Sequence, residues 1–172
     1  EYAASINETK YKTLDEAFEA ARKQSRETGE NVTVEVAEGY IPLSTYYGVT
    51  SGAHPASVTL HLNNTKIYGV GISNSFSVDK DNTLTLSGTG TLNKKIYMMG
   101  GTLNIDGNVV VSGGSLSFGQ APIYDKNDKN CKSQININGN VKLVQTALYG
   151  GAVTVGKDAH VEKLEASLTN SS

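Results

Sequence analysis

One short phrase recurs along the second half of the chain and restricts what it can fold into. It reads Thr83-Leu-Thr-Leu-Ser-Gly, then Thr102-Leu-Asn-Ile-Asp-Gly, Gln134-Ile-Asn-Ile-Asn-Gly and Ala152-Val-Thr-Val-Gly, with a shorter copy, Ser115-Leu-Ser-Phe-Gly, between the second and third. Each copy alternates polar and apolar residues and stops at or near glycine, the pattern of a half-buried strand ending in a turn. Thr83 and Thr102 stand 19 residues apart, Ser115 and Gln134 stand 19 apart, and Gln134 and Ala152 stand 18 apart. Thr102 and Ser115 are only 13 apart, which assigns those two copies to successive faces of one coil. Half-phrases, Gly107-Asn-Val-Val-Val and Gly139-Asn-Val-Lys-Leu, follow the main phrase after one glycine turn.

Repetition at this spacing marks a solenoid. The expected fold is all-β: a right-handed parallel β-helix with an N-terminal capping α-helix. Coils would stack about 4.8 Å apart, so six or seven of them make a rod of roughly 30 Å. The pairs Leu84/Leu86, Leu103/Ile105, Ile135/Ile137 and Val153/Val155 would form its internal ladders. A left-handed β-helix also uses 18-residue coils, but it favours strict six-residue repeats, which this chain lacks.

Composition agrees. A hydrophobic fraction of 38% with eighteen glycines suits many short strands and turns better than a helical bundle. The chain of 172 residues is expected to form one domain. Its net charge of −2 and pI of about 5.9 offer no electrostatic case for nucleic acid or an anionic membrane. No apolar run approaches the roughly 18 residues of a membrane span, so no membrane insertion is expected. Cys131 is the single cysteine, which rules out an intramolecular disulfide. No signal peptide opens the chain, and its abrupt start at Glu1-Tyr2 reads as an excised part of a longer protein.

Residues 13–28 predict a helix. Thr13 and Glu16 make a capping box, Leu14, Ala17, Phe18 and Ala21 form one apolar stripe, and Gly29 can close the C-terminus in a left-handed conformation. A first coil exposes its core and an unpaired strand edge, so this helix is expected to cover that end. Coils then occupy 31–168. Val32, Val34 and Val36 point one way in the first strand, and Val58, Leu60 and Leu62 point inward in the second, with Thr59 and His61 outward. Tyr46 to Pro55 reads as a loop. The segment 120–132 interrupts the repeat as a surface excursion around the polar run Asp125 to Asn130. Val161, Leu164 and Leu168 depart from period two, as in a last irregular coil or a short covering helix.

Two passages resemble bacterial cell-surface proteins with a pectate-lyase-like right-handed β-helix. One is Tyr11-Lys-Thr-Leu-Asp-Glu-Ala-Phe-Glu-Ala-Ala ahead of Val32-Thr-Val-Glu-Val-Ala-Glu-Gly. The other is Val58-Thr-Leu-His-Leu-Asn-Asn-Thr-Lys-Ile-Tyr-Gly, followed by Phe76-Ser-Val and Thr83-Leu-Thr-Leu-Ser-Gly-Thr-Gly-Thr-Leu. Asn64 stands where that phrase usually has glycine, and asparagine also enters left-handed turns. The resemblance covers most of the chain but carries no catalytic residue. It implies an extracellular protein, at the cell surface or secreted, with an adhesive, glycan-contacting role.

The expected function is therefore a non-enzymatic surface module that binds a glycan or a host or cell-surface protein. Nine tyrosines and no tryptophan make tyrosine the aromatic available for such contacts. Tyr46, Tyr47, Tyr97 and Tyr149, in or beside turns, are the candidate binding residues; each ring could equally cover a corner of the solenoid. Two alternatives stand beside this reading: a carbohydrate-active β-helix enzyme of the lyase or hydrolase kind, and a purely structural stalk. Lyase chemistry needs carboxylates holding Ca²⁺ and a basic residue on adjacent rungs. The two arginines, Arg22 and Arg26, lie on the predicted helix, so lysine would have to serve. No catalytic residue is assigned, and no cofactor is expected beyond Ca²⁺, for which Asp79, Asp81, Asp125 and Asp128 are the candidate ligands. Each acidic group lacks the glycine and distal glutamate of a helix–loop–helix calcium site. His54, His61 and His160 show no metal spacing, and outward positions are expected for them. Cys131, in the polar loop, has no positioned histidine.

Overall fold

The computed structural model describes residues 1–45, 48–49, 54–69, 75–112, 123–125, 130–143, 146–147, 151–162 and 166–167. These residues are mostly β, with one helix and a mixed, largely parallel arrangement of strands. Alternation along the chain explains this. In the copies at 83, 102 and 134 the in-facing Leu84, Leu86, Leu103, Ile105, Ile135 and Ile137 enter one continuous core, and the out-facing positions between them are polar.

The chain opens with β1 (Ala4–Ile6) and β2 (Thr9–Tyr11), an antiparallel pair. Helix α1 (Leu14–Thr28) follows. Thr13 caps it, its hydroxyl accepting from the Glu16 N–H at 3.1 Å, and Gly29 ends it at φ 72°. Leu14, Ala17, Phe18 and Ala21 are fully buried. Ser25 extends that stripe through hydrogen bonds: its hydroxyl donates to the Glu30 carbonyl at 2.6 Å and accepts from the Ser57 N–H at 2.8 Å.

Three parallel ladders then recur in the same order along the chain. The first contains β3 (Val32–Val36), the leading half of β5 (Ser57–Gly69), the leading half of β7 (Thr83–Asn93), β9 (Thr102–Ile105), β12 (Gln134–Ile137) and β15 (Ala152–Val155). The second contains β4 (Gly39–Leu43), the trailing halves of β5 and β7, β10 (Asn108–Val111), β13 (Asn140–Leu143) and β16 (His160–Val161). The third is a separate sheet of β6 (Ser75–Asp79), β8 (Lys95–Met99), β11 (Ile123–Asp125), β14 (Thr146–Ala147) and β17 (Ala166–Ser167). Between the first two ladders the backbone turns at a column of close contacts. A Cβ on Gly107 would lie 2.3 Å from the Gly88 carbonyl oxygen, and one on Gly139 would lie 2.2 Å from the Gly107 nitrogen. Asn64, at φ 50°, makes the equivalent turn in β5, beside a register shift at Asn63/Thr65.

The expected internal ladder is found in register: Leu84 pairs with Leu103 and Leu103 with Ile135, while Leu86 pairs with Ile105 and Ile105 with Ile137, all fully buried. Each such side chain contributes about 1.5–3 kcal/mol by leaving water. Several expectations need correction. Val153 is only partly buried and Val155 is 45% exposed, because β15 is the last strand of its sheet and pairs with β12 alone. The spacing is less regular than the phrase suggests. Gln134 pairs with Thr102, an offset of 32, and the Ser115 copy lies outside the described residues. Within 120–132 the structure adds strand β11, whose Ile123 is fully buried. At the N-terminal end of the sheet, α1 lies over the core, but the strand edge at β3 is covered by β1, which pairs antiparallel with it.

A buried polar contact joins that cap to the ladders. Lys94 is fully buried, and its ammonium donates to the Leu43 carbonyl at 3.0 Å. Burial lowers its pKa to about 8, against the opposing pull of the Asp15 carboxylate. Burial would raise the Asp15 carboxyl, but hydrogen bonds from the Thr45 hydroxyl and from the Ser44 and Thr45 backbones outweigh it and hold it below the usual value.

Candidate functional site

The first ladder presents a flat polar face. Thr33, Thr59, Thr85, Asn104, Asn136 and Thr154 stand in one register row across six strands. Most of its hydrogen-bonding capacity is used internally. The Asn136 amide donates to Asn104 Oδ1 at 2.9 Å, and the Asn104 amide donates to the Thr85 hydroxyl at 3.3 Å. Gln134 Nε2 donates to Asn136 Oδ1 and to the Thr154 hydroxyl, each at 2.9 Å. Asn138 Nδ2 donates to Asp106 Oδ1 at 3.0 Å. Such ladders hold one strand on the next and leave little to offer a ligand.

The N-terminal end of this face differs. Lys10, Ser5, Glu35, His61 and Ser87 follow one another in register across β2, β1, β3, β5 and β7. His61 Nδ1 and the Ser87 hydroxyl are 2.9 Å apart. Tyr2, Ser5, Glu35, His61 and Asn63, with the chain at Val36 and Ala37, line a depression of about 300 Å³. Tyr2 is 44% exposed, and the Lys10 ammonium lies 4.8 Å from its ring centroid. The N-terminal strand is held there by the Ala3 N–H bonded to the Tyr11 carbonyl and the Ala37 N–H bonded to the Ala3 carbonyl. Hydroxyl, imidazole and carboxylate run in the order of a hydrolytic triad, with His61 bonded to Ser87 and no hydrogen bond between Glu35 and His61.

A second feature lies past the corner, on the outer face of the second ladder. Tyr40 and Tyr68 stack with centroids 3.8 Å apart and planes 12° from parallel. Tyr40 is 60% exposed, and the Lys66 ammonium sits 5.6 Å from its ring centroid. Ile41 pairs with Ile67, which is fully buried; alternation therefore sends Tyr40, Lys66 and Tyr68 outward. Thr91 and Asn93 stand beside Lys66 and Tyr68 on the next strand. An exposed Tyr40 ring stacked on a half-buried Tyr68, beside hydroxyl and amide groups, suits a partner with both apolar and polar surface.

The residues singled out from sequence fare differently. Tyr97 lies within β8, partly buried, and not beside the Tyr40/Tyr68 pair. Tyr46, Tyr47 and Tyr149 lie outside the described residues, as does Asp128, and of Asp125 only the backbone is described. Asp79 and Asp81 belong to a turn built around Asn82. The buried Asn82 amide donates to the Lys80 carbonyl at 2.9 Å, and its oxygen accepts from the Ala56 N–H at 2.8 Å. Asp81 holds φ 66° in that turn. Among the described residues no three His, Cys, Asp or Glu side chains are placed to hold a metal ion. Cys131 is buried rather than displayed on a loop, with its sulfur 3.4 Å from the Ser133 hydroxyl. No described helix is long and apolar enough to cross a membrane.

Tyr40 was not among the sequence candidates, although a signal for it exists. Val32-Thr-Val and Val58-Thr-Leu are 26 residues apart, and the same offset places Tyr40 beside Lys66 and Pro42 beside Tyr68. Comparison with known proteins adds no name: no family model, curated protein or solved structure matches this chain.

Proposed function

We propose that this chain is a non-enzymatic, surface-exposed module of the right-handed parallel β-helix kind that binds a glycan or a host or cell-surface protein. The observation that carries the binding role is the Tyr40/Tyr68 stack, in which Tyr40 is exposed on a strand face and Tyr68 is half-buried beneath it. The solenoid reading draws on three parallel ladders visited in constant order around one apolar core. The handedness and the extracellular setting rest on the resemblance of residues 11–21, 32–39, 58–69, 76–78 and 83–92 to bacterial surface proteins.

Binding of the labelled chain to a glycan array and to intact cells tests the role. The expected outcome is retention by wild type and a loss of about tenfold on Tyr40→Ala, since an exposed aromatic anchor can supply roughly 1–2 kcal/mol. Wild type that binds neither glycans nor cells would overturn it. A second reading, a stalk segment, draws on the self-bonded Asn136–Asn104–Thr85 ladder and predicts that same lack of binding.

A further inference from the structure

We propose that the depression between Tyr2 and Asn63 is a subsite for one neutral sugar ring of a glycan, a proposal that rests on the binding role argued above and gives it a place and a ligand class. The first argument is unspent polarity. Along the rest of the face, amides and hydroxyls bond to one another, as in the Asn136, Asn104 and Thr85 series. Around the depression, the side chains of Ser5, Glu35 and Asn63 make no hydrogen bond among the described residues, and His61 uses only Nδ1. Donors and acceptors of mixed kind therefore converge where nothing internal uses them. That is how a site recognises vicinal hydroxyls.

The second argument is the ring at its rim. The Lys10 ammonium lies 4.8 Å from the Tyr2 ring centroid, and Tyr2 still exposes 44% of its residue surface. An aromatic surface beside polar groups suits a sugar, whose C–H face stacks while its hydroxyls bond sideways. Size is the third. About 300 Å³ lies at the lower end for ligand pockets, enough for one or two sugar rings and too small for an extended peptide.

Charge selects among sugars. The Glu35 carboxylate lines the depression, can accept from two hydroxyls in charge-assisted bonds and repels a uronate or sialate carboxylate, whereas the Lys10 ammonium lies over the Tyr2 ring and is not one of the lining groups. The site is thus built for neutral hexoses or N-acetylhexosamines over acidic ones. Its residues come from β1, β3 and β5 and from the chain before β1, so the antiparallel strand that covers the sheet edge also builds one wall.

Saturation-transfer NMR of the whole chain, with methyl galactoside, methyl N-acetylglucosaminide and methyl glucuronide as probes, tests the subsite. The expected result is saturation transfer to at least one neutral glycoside and a roughly tenfold weaker response for the glucuronide. Tyr2→Ala and Asn63→Ala should each weaken the neutral glycoside about tenfold, and Glu35→Gln should narrow the gap between neutral and acidic probes. These positions are at the surface, and an unchanged thermal melt confirms that each variant folds. No transfer to either neutral glycoside, or wild-type transfer in Tyr2→Ala and Asn63→Ala, overturns the subsite. If cell or glycan-array binding persists in that case, the binding role survives without it; if wild type fails there too, both fall.

Discussion

Lys94 donates its buried ammonium to the Leu43 carbonyl at 3.0 Å, across 51 residues of sequence. The contact ties the end of β4 to the short link between β7 and β8, with Asp15 of the capping helix as the opposing charge. Burial lowers the pKa from 10.5 to about 8. Between those values the unfolded chain holds a proton that the folded chain has released, so stability rises with pH across that window. The expected gain from pH 8 to 10.5 is on the order of 1–3 kcal/mol. Chemical denaturation at several pH values should show this rise in wild type and lose it in Lys94→Met.

Asp15 makes the opposite prediction. Its carboxylate accepts from the Ser44 N–H at 3.1 Å and from the Thr45 N–H at 2.6 Å, and these bonds favour the charged form. With the folded pKa held below its usual value, the stabilisation is complete above the unfolded value and disappears as pH falls through the folded one. Asp15→Asn should cost on the order of 1–3 kcal/mol near neutrality and little in acid. Combined with Lys94→Met in a double-mutant cycle, the two changes should be non-additive, because the Asp15 carboxylate is the opposing charge that acts on Lys94. Additivity within about 0.3 kcal/mol would show that the two sites do not communicate.

How much of this was legible before the structure depends on whether a residue's place is set locally. Leu84, Leu103 and Ile135 follow from alternation within their own strands, and so does the stripe Leu14, Ala17, Phe18 and Ala21 within one helix. The pairing of Gln134 with Thr102 does not, because a 32-residue offset is set by how much chain the intervening corner absorbs. Strands β1 and β2 have three residues each, too few for a period to register. The depression at Tyr2 was illegible for a stronger reason. Its side chains meet only because an antiparallel strand docks on β3, and nothing in the spacing of Tyr2, Glu35 and His61 announces that.

The corner column separates two costs of replacing glycine. Gly29, at φ 72°, has open space where a Cβ would go, so Gly29→Ala meets only backbone strain, about 1 kcal/mol. Gly107, at φ 81°, would press a Cβ to 2.3 Å from the Gly88 carbonyl oxygen, which is backbone and cannot rotate away. Gly107→Ala must push the β9–β10 corner away from β7 and should cost about 3 kcal/mol or more. Urea denaturation of the two variants should rank them in that order. Equal costs would mean that the corner is looser than its contacts imply.

The last prediction concerns depth within one ladder. Ile105 is fully buried between Leu86 and Ile137, whereas Val155 extends the same row past Ile137 and is 45% exposed. Ile105→Asp strips apolar contacts from both neighbours and leaves a carboxylate with no water and no donor, so a loss of about 4 kcal/mol or more is expected. Val155→Asp leaves its carboxylate hydrated and should stay within about 0.5–1 kcal/mol of wild type. Thermal melts of both variants make the comparison at constant chemistry, since each converts a β-branched aliphatic to aspartate. A large loss at Val155 would mean that the end of this ladder is covered in solution. The row would then continue as a buried core past β15, and the exposure of its last strand would not describe the working protein.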